Sequence, residues 1–288
     1  MYVSGFTFIR NAVKFDYPVV ESIRSLLPLV DELVVVAGNS DDDTEQLIRS
    51  IGDPRIRIIP SVWDDTLREG GRVLALETDK ALRAVNRAAD WCIYLQADEI
   101  IHEQDYSLIR QSMISHLDDP RVQGLLFNYV HFYGSYAYVG NSRRWYRNEI
   151  RIVRNDSHIH SFRDAQGFRV NGKILRVKET GARIFHYGWV KDPLHQLEKQ
   201  KSFNRFWHSD EKVGNMVADA PFDYSVIDSL DLFSGSHPSV MHNRVNKQNW
   251  NFEFDVSQKK FSFKDRILWE IEKATGKRLF EYRNYKLI

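Results

Sequence analysis

The first hundred residues alternate dense apolar runs with amphipathic stretches. Tyr2 to Ile9, Glu32 to Ala37 with its Leu33-Val34-Val35-Val36 centre, Arg55 to Ile59 and Trp91 to Gln96 are short and rich in β-branched and aromatic residues, and they read as buried strands. Between them Val19, Ile23, Leu26, Leu27 and Val30 recur at helical spacing behind Asp16 and Pro18, residues that suit a helix start. Gly38-Asn39-Ser40-Asp41-Asp42-Asp43-Thr44 predicts a turn that caps a second helix through Leu47, Ile48 and Ile51. A third helix is predicted over Val73 to Ala88, with Leu74, Ala81, Leu82 and Val85 on one face, and Pro60 closes the strand before it. Repeated β-α-β-α order predicts an α/β fold around a parallel, right-handed, doubly wound sheet.

Further along, Val122 to Phe132, Ile150 to Arg154 and Ala182 to Tyr187 read as strands joined by polar, glycine-containing turns with no long helix between them. That pattern predicts a mixed extension of the same sheet. Leu194 to His208 and Phe263 to Thr275 read as helices. The expected division is a catalytic domain over residues 1–192 and a helical, aromatic-rich C-terminal extension over 193–288.

Composition narrows the partners. A formal charge of +1 gives no global attraction for nucleic acid, so binding must come from a local site. The single Cys92 excludes an intrachain disulfide and any zinc site built on paired cysteines, and reads as a small core residue in a reducing compartment. Met1-Tyr2-Val3-Ser4-Gly5-Phe6 has neither the basic region nor the apolar core of a signal peptide, and no apolar run is long enough to span a bilayer. The expectation is a cytoplasmic protein, with peripheral association at the inner face of the membrane as an option.

Candidate chemistry lies where strand four ends. Leu95-Gln96-Ala97-Asp98-Glu99 brings two acids to the carboxyl edge of a parallel sheet, where such folds bind ligands. Paired carboxylates there suit a hard divalent cation that shares its remaining coordination with phosphate oxygens and water. Solvated strand-end acids are the plainer reading.

Four segments in order, Phe8-Ile9-Arg10-Asn11, Val36-Ala37-Gly38-Asn39-Ser40-Asp41-Asp42-Asp43-Thr44, Leu95-Gln96-Ala97-Asp98-Glu99 and Phe185-His186-Tyr187-Gly188-Trp189, resemble the family 2 glycosyltransferases of the GT-A fold, in their bacterial, inverting branch. The resemblance covers roughly residues 1–200. It implies a nucleotide-sugar donor, a UDP-sugar first among the options, a Mn or Mg ion, and a glycan or lipid-linked acceptor in surface glycan synthesis. Phe8, Arg10, Asn39 and Asp41 then become candidates for base and ribose, and Gln96 for a ribose hydroxyl. Asp98 becomes the principal metal ligand, with Glu99 assisting or facing a sugar hydroxyl and His186 serving the metal or the diphosphate.

Two departures stand out. Ala37 and Gly38 replace the acids that usually open the second turn, and Gln96 replaces the first acid of the Asp-x-Asp motif. An amide is a poorer metal ligand than a carboxylate. The family places its catalytic base between the metal motif and the late histidine, and Ser161-Phe162-Arg163-Asp164-Ala165-Gln166-Gly167-Phe168 fits that position, making Asp164 the candidate base with Arg163 or Gln166 orienting substrate. A turn aspartate is the structural alternative for Asp164, and a histidine packed among aromatics is the alternative for His186. His158 and His160 are reserve candidates. Arg72, behind Gly70-Gly71 in Arg68-Glu69-Gly70-Gly71-Arg72, is a candidate for a diphosphate, against a plain solvated loop, and Thr78 and Asp79 follow in the same helix.

Ile267, Leu268, Ile271 and Ala274 form an apolar face near Lys264, Arg266, Lys273 and Lys277, which suits an anionic membrane or, with Asp265, Glu270 and Glu272 diluting the charge, packing on the protein or a second subunit. Two other functions compete with the glycosyltransferase. A nucleotidyltransferase would carry a glycine-rich basic loop after strand one, where Phe8-Ile9-Arg10-Asn11-Ala12 stands. A degenerate sugar- or nucleotide-binding module is favoured by Gln96 and by Ala37-Gly38.

Overall fold

The computed structural model describes residues 1–68, 70–217 and 220–288, so Glu69 of the glycine loop lies outside the described residues. Strands β1 (Val3–Ile9), β2 (Glu32–Gly38), β3 (Ile56–Ser61) and β4 (Trp91–Tyr94) run parallel in the spatial order β3-β2-β1-β4. Helices α1 (Val19–Leu26), α2 (Thr44–Arg49) and α3 (Arg72–Arg83) connect them. The unbroken apolar run in β2 is explained by cover on both faces. Leu33 and Val35 pack with Val19, Ile23 and Ile48 on one side, and Val34 and Val36 with Val73, Leu74, Ala81 and Leu82 on the other.

The sheet then turns mixed. Its order continues β4-β8-β6-β11-β10-β9 through β5 (Glu99–Ile101), helix α4 (Tyr106–Ser115), β6 (Gly124–Tyr133), β7 (Ser135–Gly140), β8 (Asn148–Arg154), β9 (Ile159–Phe162), β10 (Gly167–Val170) and β11 (Lys173–Trp189). β8 is antiparallel to β4 and β6, β11 is parallel to β6, and β5 pairs antiparallel with β11, setting Glu99 opposite His186. The α/β class with a parallel half and a mixed extension is therefore the observed architecture.

Several boundaries differ from the sequence expectation. Pro60 lies inside β3, where it is tolerated because β3 is the sheet edge and the missing N–H costs no ladder bond. The third helix stops at Arg83 instead of Ala88, because the Asn86 side chain accepts from the Ala88 N–H at 2.9 Å and offers the backbone a turn instead. Ala182 to Tyr187 is part of a 17-residue strand whose register shifts between Glu179 and Arg183, around Gly181 with φ +74°.

Beyond residue 193 come α5 (Pro193–Asn204), α6 (Asp210–Met216), β12 (Leu230–Leu232), α7 (His242–Asn246), α8 (Phe263–Thr275) and β13 (Tyr285–Leu287). β12 pairs with β7 and β13 with β11, so this segment adds edges to the same sheet. Helix α8 buries no residue fully and is fastened through Glu272, which pairs with Arg143 at 2.8 Å and Arg278 at 3.0 Å. Among the described residues no helix is long and apolar enough to cross a membrane.

One charge pair ties the mixed part together. Glu99 and Arg151 are both fully buried and meet in a two-pronged contact, Nη2 to Oε1 at 2.7 Å and Nε to Oε2 at 2.8 Å. The Tyr129 hydroxyl donates to Oε1 at 2.7 Å and the Gln96 N–H to Oε2 at 3.1 Å, completing the carboxylate. In the same strand Glu149 has no such ion pair among the described residues, and its buried Oε2 is unbonded. Burial pushes its carboxyl up to about 8, with Glu99 and Asp164 adding to the rise.

Replacing Arg151 by Met leaves Glu99 buried without its counter-ion and is expected to cost about 3–5 kcal/mol in urea unfolding, much of it recovered in the Glu99→Met/Arg151→Met double variant. An Arg151→Met protein with the parental midpoint would refute this. At Glu149 the folded carboxyl holds its proton to higher pH than the unfolded one, so its stabilising contribution is complete below 4.5 and lost as pH rises to about 8. The Glu149→Gln variant should therefore gain on the parent steadily across that window, as read by paired melting curves, and a pH-independent difference would count against it.

Candidate functional site

A cleft of about 780 Å³ opens at the carboxyl ends of β1, β2 and β4 and is closed on one side by α5 and on another by the β9–β10 hairpin. That volume is in the range of sites that enclose a ligand of several rings. Its floor is built by the antiparallel pairing of β5 with β11. That pairing brings His186 Nε2 to 3.8 Å from Asp98 Oδ1, although 87 residues separate them in sequence. Gly188 makes the approach feasible, since a Cβ there would stand 2.6 Å from His186 Nε2 and 2.8 Å from Asp98 Oδ2.

Protons on the floor follow from its bonds. The Tyr146 carbonyl can only accept, so His131 donates to it from Nε2 at 2.8 Å. Burial, reinforced by the neighbouring His186, holds His131 well below the usual imidazole value and therefore neutral, which leaves its Nδ1 to accept from His186 Nδ1 at 3.1 Å. His186, also depressed by burial, then presents an unprotonated Nε2 toward Asp98. Burial alone would raise the Asp98 carboxyl, but neighbouring positive charge, the Lys199 ammonium first, outweighs it and holds the group well below the carboxylate range. Lys199 Nζ donates to Asp98 Oδ2 at 3.0 Å and to the Gly188 carbonyl at 2.9 Å. Lys191 is fully buried, which pushes its amine well below the ordinary lysine value, and its Nζ donates to the Phe15 carbonyl at 2.7 Å.

The donor set fits a divalent ion in a limited way. An ionised Asp98, a bare His186 Nε2 and the space a Cβ at 188 would fill give two protein ligands, and Mg²⁺-type ions with few protein ligands complete their shell from phosphate and water. Among the described residues no three His, Cys, Asp or Glu side chains are grouped to hold a metal alone. The expected contribution of Glu99 is not available. Its carboxylate points into the core, both oxygens are committed to Arg151, Tyr129 and the Gln96 N–H, and it does not line the cleft.

One wall of the cleft is aromatic and cationic. Phe8 and Trp63 stand 5.7 Å apart, Arg10 lies 5.5 Å over the Trp63 ring, and Asp65 holds Arg10 at 2.7 Å. Gln96 and Asp41 also line the space, the latter paired with Lys14 at 2.6 Å, whose hydrogen bond depresses its carboxyl. Trp63 explains the sequence departure at Gly38: a Cβ at 38 would lie 2.5 Å from the indole Nε1, so no acid can stand there. That Nε1 is buried without a partner. Asn39 does not line the cleft; its Oδ1 accepts from the Trp63 N–H at 3.1 Å and so positions the indole.

The opposite wall carries Asp164 and Gln166 at the tip of the β9–β10 hairpin. Arg163 and Ala165, on either side of Asp164, hold left-handed backbone with φ +56° and +62°. Non-glycine residues adopt that conformation at a cost, and such strain clusters at functional sites. Burial raises the Asp164 carboxyl above its ordinary value. Gly71 makes room for it, since a Cβ there would meet Asp164 Cβ at 2.6 Å and Trp207 at 2.8 Å. Gly71 thus admits protein rather than a diphosphate, Gly70 has open space beside it, and Arg72 is exposed outside the cleft. His158 and His160 also lie outside it; His160 pairs with Asp79 at 3.3 Å, and Asp79 in turn accepts from the Ser161 N–H at 2.7 Å and anchors the hairpin. Thr78 is bonded within its helix. Arg163 lies over the Phe162 and Tyr282 rings.

Sequence reasoning passed over Trp63, Lys199, His131, Tyr146 and Arg151. Trp63 had a usable signal, since it follows the third parallel strand on the same edge as the other candidates. Lys199 had none, because a lysine on an amphipathic helix reads as solvated.

No protein-family model and no curated protein sequence matches the chain. Among solved structures it is similar to glucosyl-3-phosphoglycerate synthase from Mycobacterium tuberculosis in complex with Mn²⁺, UDP and phosphoglyceric acid, at 21% identity over 45% of this chain and 43% of that one, TM-score 0.31. It is similar to S. aureus TarS at 14% identity over 70% of this chain and 39% of that one, TM-score 0.42. A third likeness is to 4-diphosphocytidyl-2C-methyl-D-erythritol synthase from Anaerococcus prevotii, at 14% identity over 66% of this chain and 89% of that one, TM-score 0.40. The chain thus spans less than half the length of the first two.

Proposed function

We propose that the protein is a glycosyltransferase that moves a sugar from a nucleotide-sugar donor to a hydroxyl acceptor with inversion. The observation that carries the reading is that Trp63, Asp98 and Asp164 line one cleft, because the three demands of the reaction then fall on three of its surfaces. Phe8 and Trp63 offer aromatic faces to a nucleobase, with Arg10 beside them. Asp98 and His186 would hold a divalent ion, which when bound neutralises charge on the leaving diphosphate. Gln96, at the rim of the same floor, suits a ribose hydroxyl.

Asp164 stands across the cleft as the base. The acceptor oxygen forms its bond to the anomeric carbon as the bond to the diphosphate breaks, and the hydroxyl proton passes to the Asp164 carboxylate. Partial burial favours this role because a carboxyl raised above its ordinary value holds the proton better. Gln166, on the same hairpin, suits a sugar hydroxyl. The sequence resemblance extends the reading to bacterial surface glycan assembly with a glycan or lipid-linked acceptor.

A thermal-shift panel of UDP, GDP, CDP, ADP and dTDP, with and without Mn²⁺, identifies the donor base, since a ligand of the folded state raises stability as RT ln(1 + [L]/Kd). With that donor, Asp164→Asn should lower transfer roughly 10²- to 10⁴-fold while leaving nucleotide affinity intact. An unchanged transfer rate would remove Asp164 as the base, and tight nucleotide binding without transfer to any acceptor by the parent would favour a binding module. Trp63→Ala should weaken the nucleotide by about 1–3 kcal/mol in the same titration, the worth of one base stacked on an aromatic ring.

A further inference from the structure

We infer that Lys199 is an internal counter-ion that occupies the Asp98 carboxylate when the donor is absent and makes binding of a divalent ion conditional on a nucleoside diphosphate. The inference deepens the glycosyltransferase reading and rests on it. Its basis is the double contact of Lys199 Nζ, 3.0 Å to Asp98 Oδ2 and 2.9 Å to the Gly188 carbonyl, at the point where His186 also approaches Asp98. An ion on Asp98 would sit about 2–2.6 Å from its oxygens and so within a few ångströms of the ammonium. Like charges that close, in a site shielded from water, oppose each other strongly.

A nucleoside diphosphate reverses the balance. Its phosphate oxygens give the ammonium a second acceptor, and they add negative charge that an ion and an ammonium can share. Lys199 lines the cleft, and its four-carbon stem lets Nζ swing from Asp98 toward a ligand without moving α5. Lys191 cannot do the same. Its Nζ is held by the Phe15 carbonyl, and it does not line the cleft. Ion and nucleotide are then coupled ligands, each tightening the other by the same factor.

The test is Mn²⁺ binding followed by the electron paramagnetic resonance of free Mn²⁺, in the parent and in Lys199→Met, each alone and with the nucleoside diphosphate from the panel above that shifts the melting curve most. In the parent, the nucleotide should tighten Mn²⁺ roughly 10- to 100-fold, within the usual range of coupling between sites. Lys199→Met should bind Mn²⁺ alone at least ~10-fold tighter than the parent, with the nucleotide-dependent gain correspondingly smaller. Lys199→Arg, which keeps the charge, should bind Mn²⁺ alone as weakly as the parent. Circular dichroism and melting of each variant establish that it is folded.

Equal Mn²⁺ affinity in the parent and a folded Lys199→Met would overturn the inference. So would a parent that binds nucleotide equally well in EDTA and never takes up Mn²⁺, a result that would make the ammonium a replacement for the metal. If Lys199→Met does not fold, the parent alone decides, because Mn²⁺ affinity unaffected by nucleotide would exclude the coupling. No nucleotide binding by any of the proteins, with or without Mn²⁺, would instead bring down the donor site itself and the inference with it.

Discussion

The floor of the cleft depends on one buried ion pair. Asp98 and Glu99 are neighbours in the chain, yet one faces the cleft and the other enters the core, where Arg151 and Tyr129 hold it from β8 and β6. Taking two charges out of water is expensive, and such a pair adds little net stability compared with a well-packed apolar one. What it fixes is position. A misplaced β5 would leave an acid and a guanidinium unpaired in the interior, so the alternatives to this register are costly. Because β5 pairs with β11, the same constraint sets the distance from Asp98 to His186.

The cleft is electrostatically divided. On the floor a single ionised carboxylate, Asp98, meets the Lys199 ammonium and two neutral histidines, while burial pushes the Lys191 amine well below the ordinary lysine value. The hairpin wall carries Asp164 with a raised carboxyl and, behind it, a Glu149 that stays protonated at neutral pH and adds no second negative charge. A floor lysine within reach of phosphate oxygens and a carboxyl on the opposite wall suit transfer between an anionic leaving group and a neutral hydroxyl.

Legibility in the sequence followed sequence distance. The parallel half could be read because β2 and β4 are continuous apolar runs between amphipathic helices, and the period itself encodes two-faced burial. The pairing of β5 with β11 could not, since nothing local in Glu99–Ile101 announces its partner; His186 became a candidate through the family resemblance. Glu99 was assigned to the metal because two adjacent acids look alike in a sequence, and only the arginine 52 residues away separates their roles. The glycines at 70 and 71 suggested close approach, but not by what, and Gly188 gave no such signal. At 71 the answer is Asp164, and at 188 it is Asp98 with His186.

The two left-handed residues beside Asp164 invert a common rule of stabilisation. Replacing glycine by alanine usually stiffens the unfolded chain and stabilises a protein, but at 163 and 165 the folded backbone already favours glycine. Engineering this protein for heat resistance would thus find an easy gain in loosening the hairpin tip with glycine. The same change would release the carboxylate that the strain holds over the cleft, so robustness and a fixed Asp164 pull against each other at these two positions.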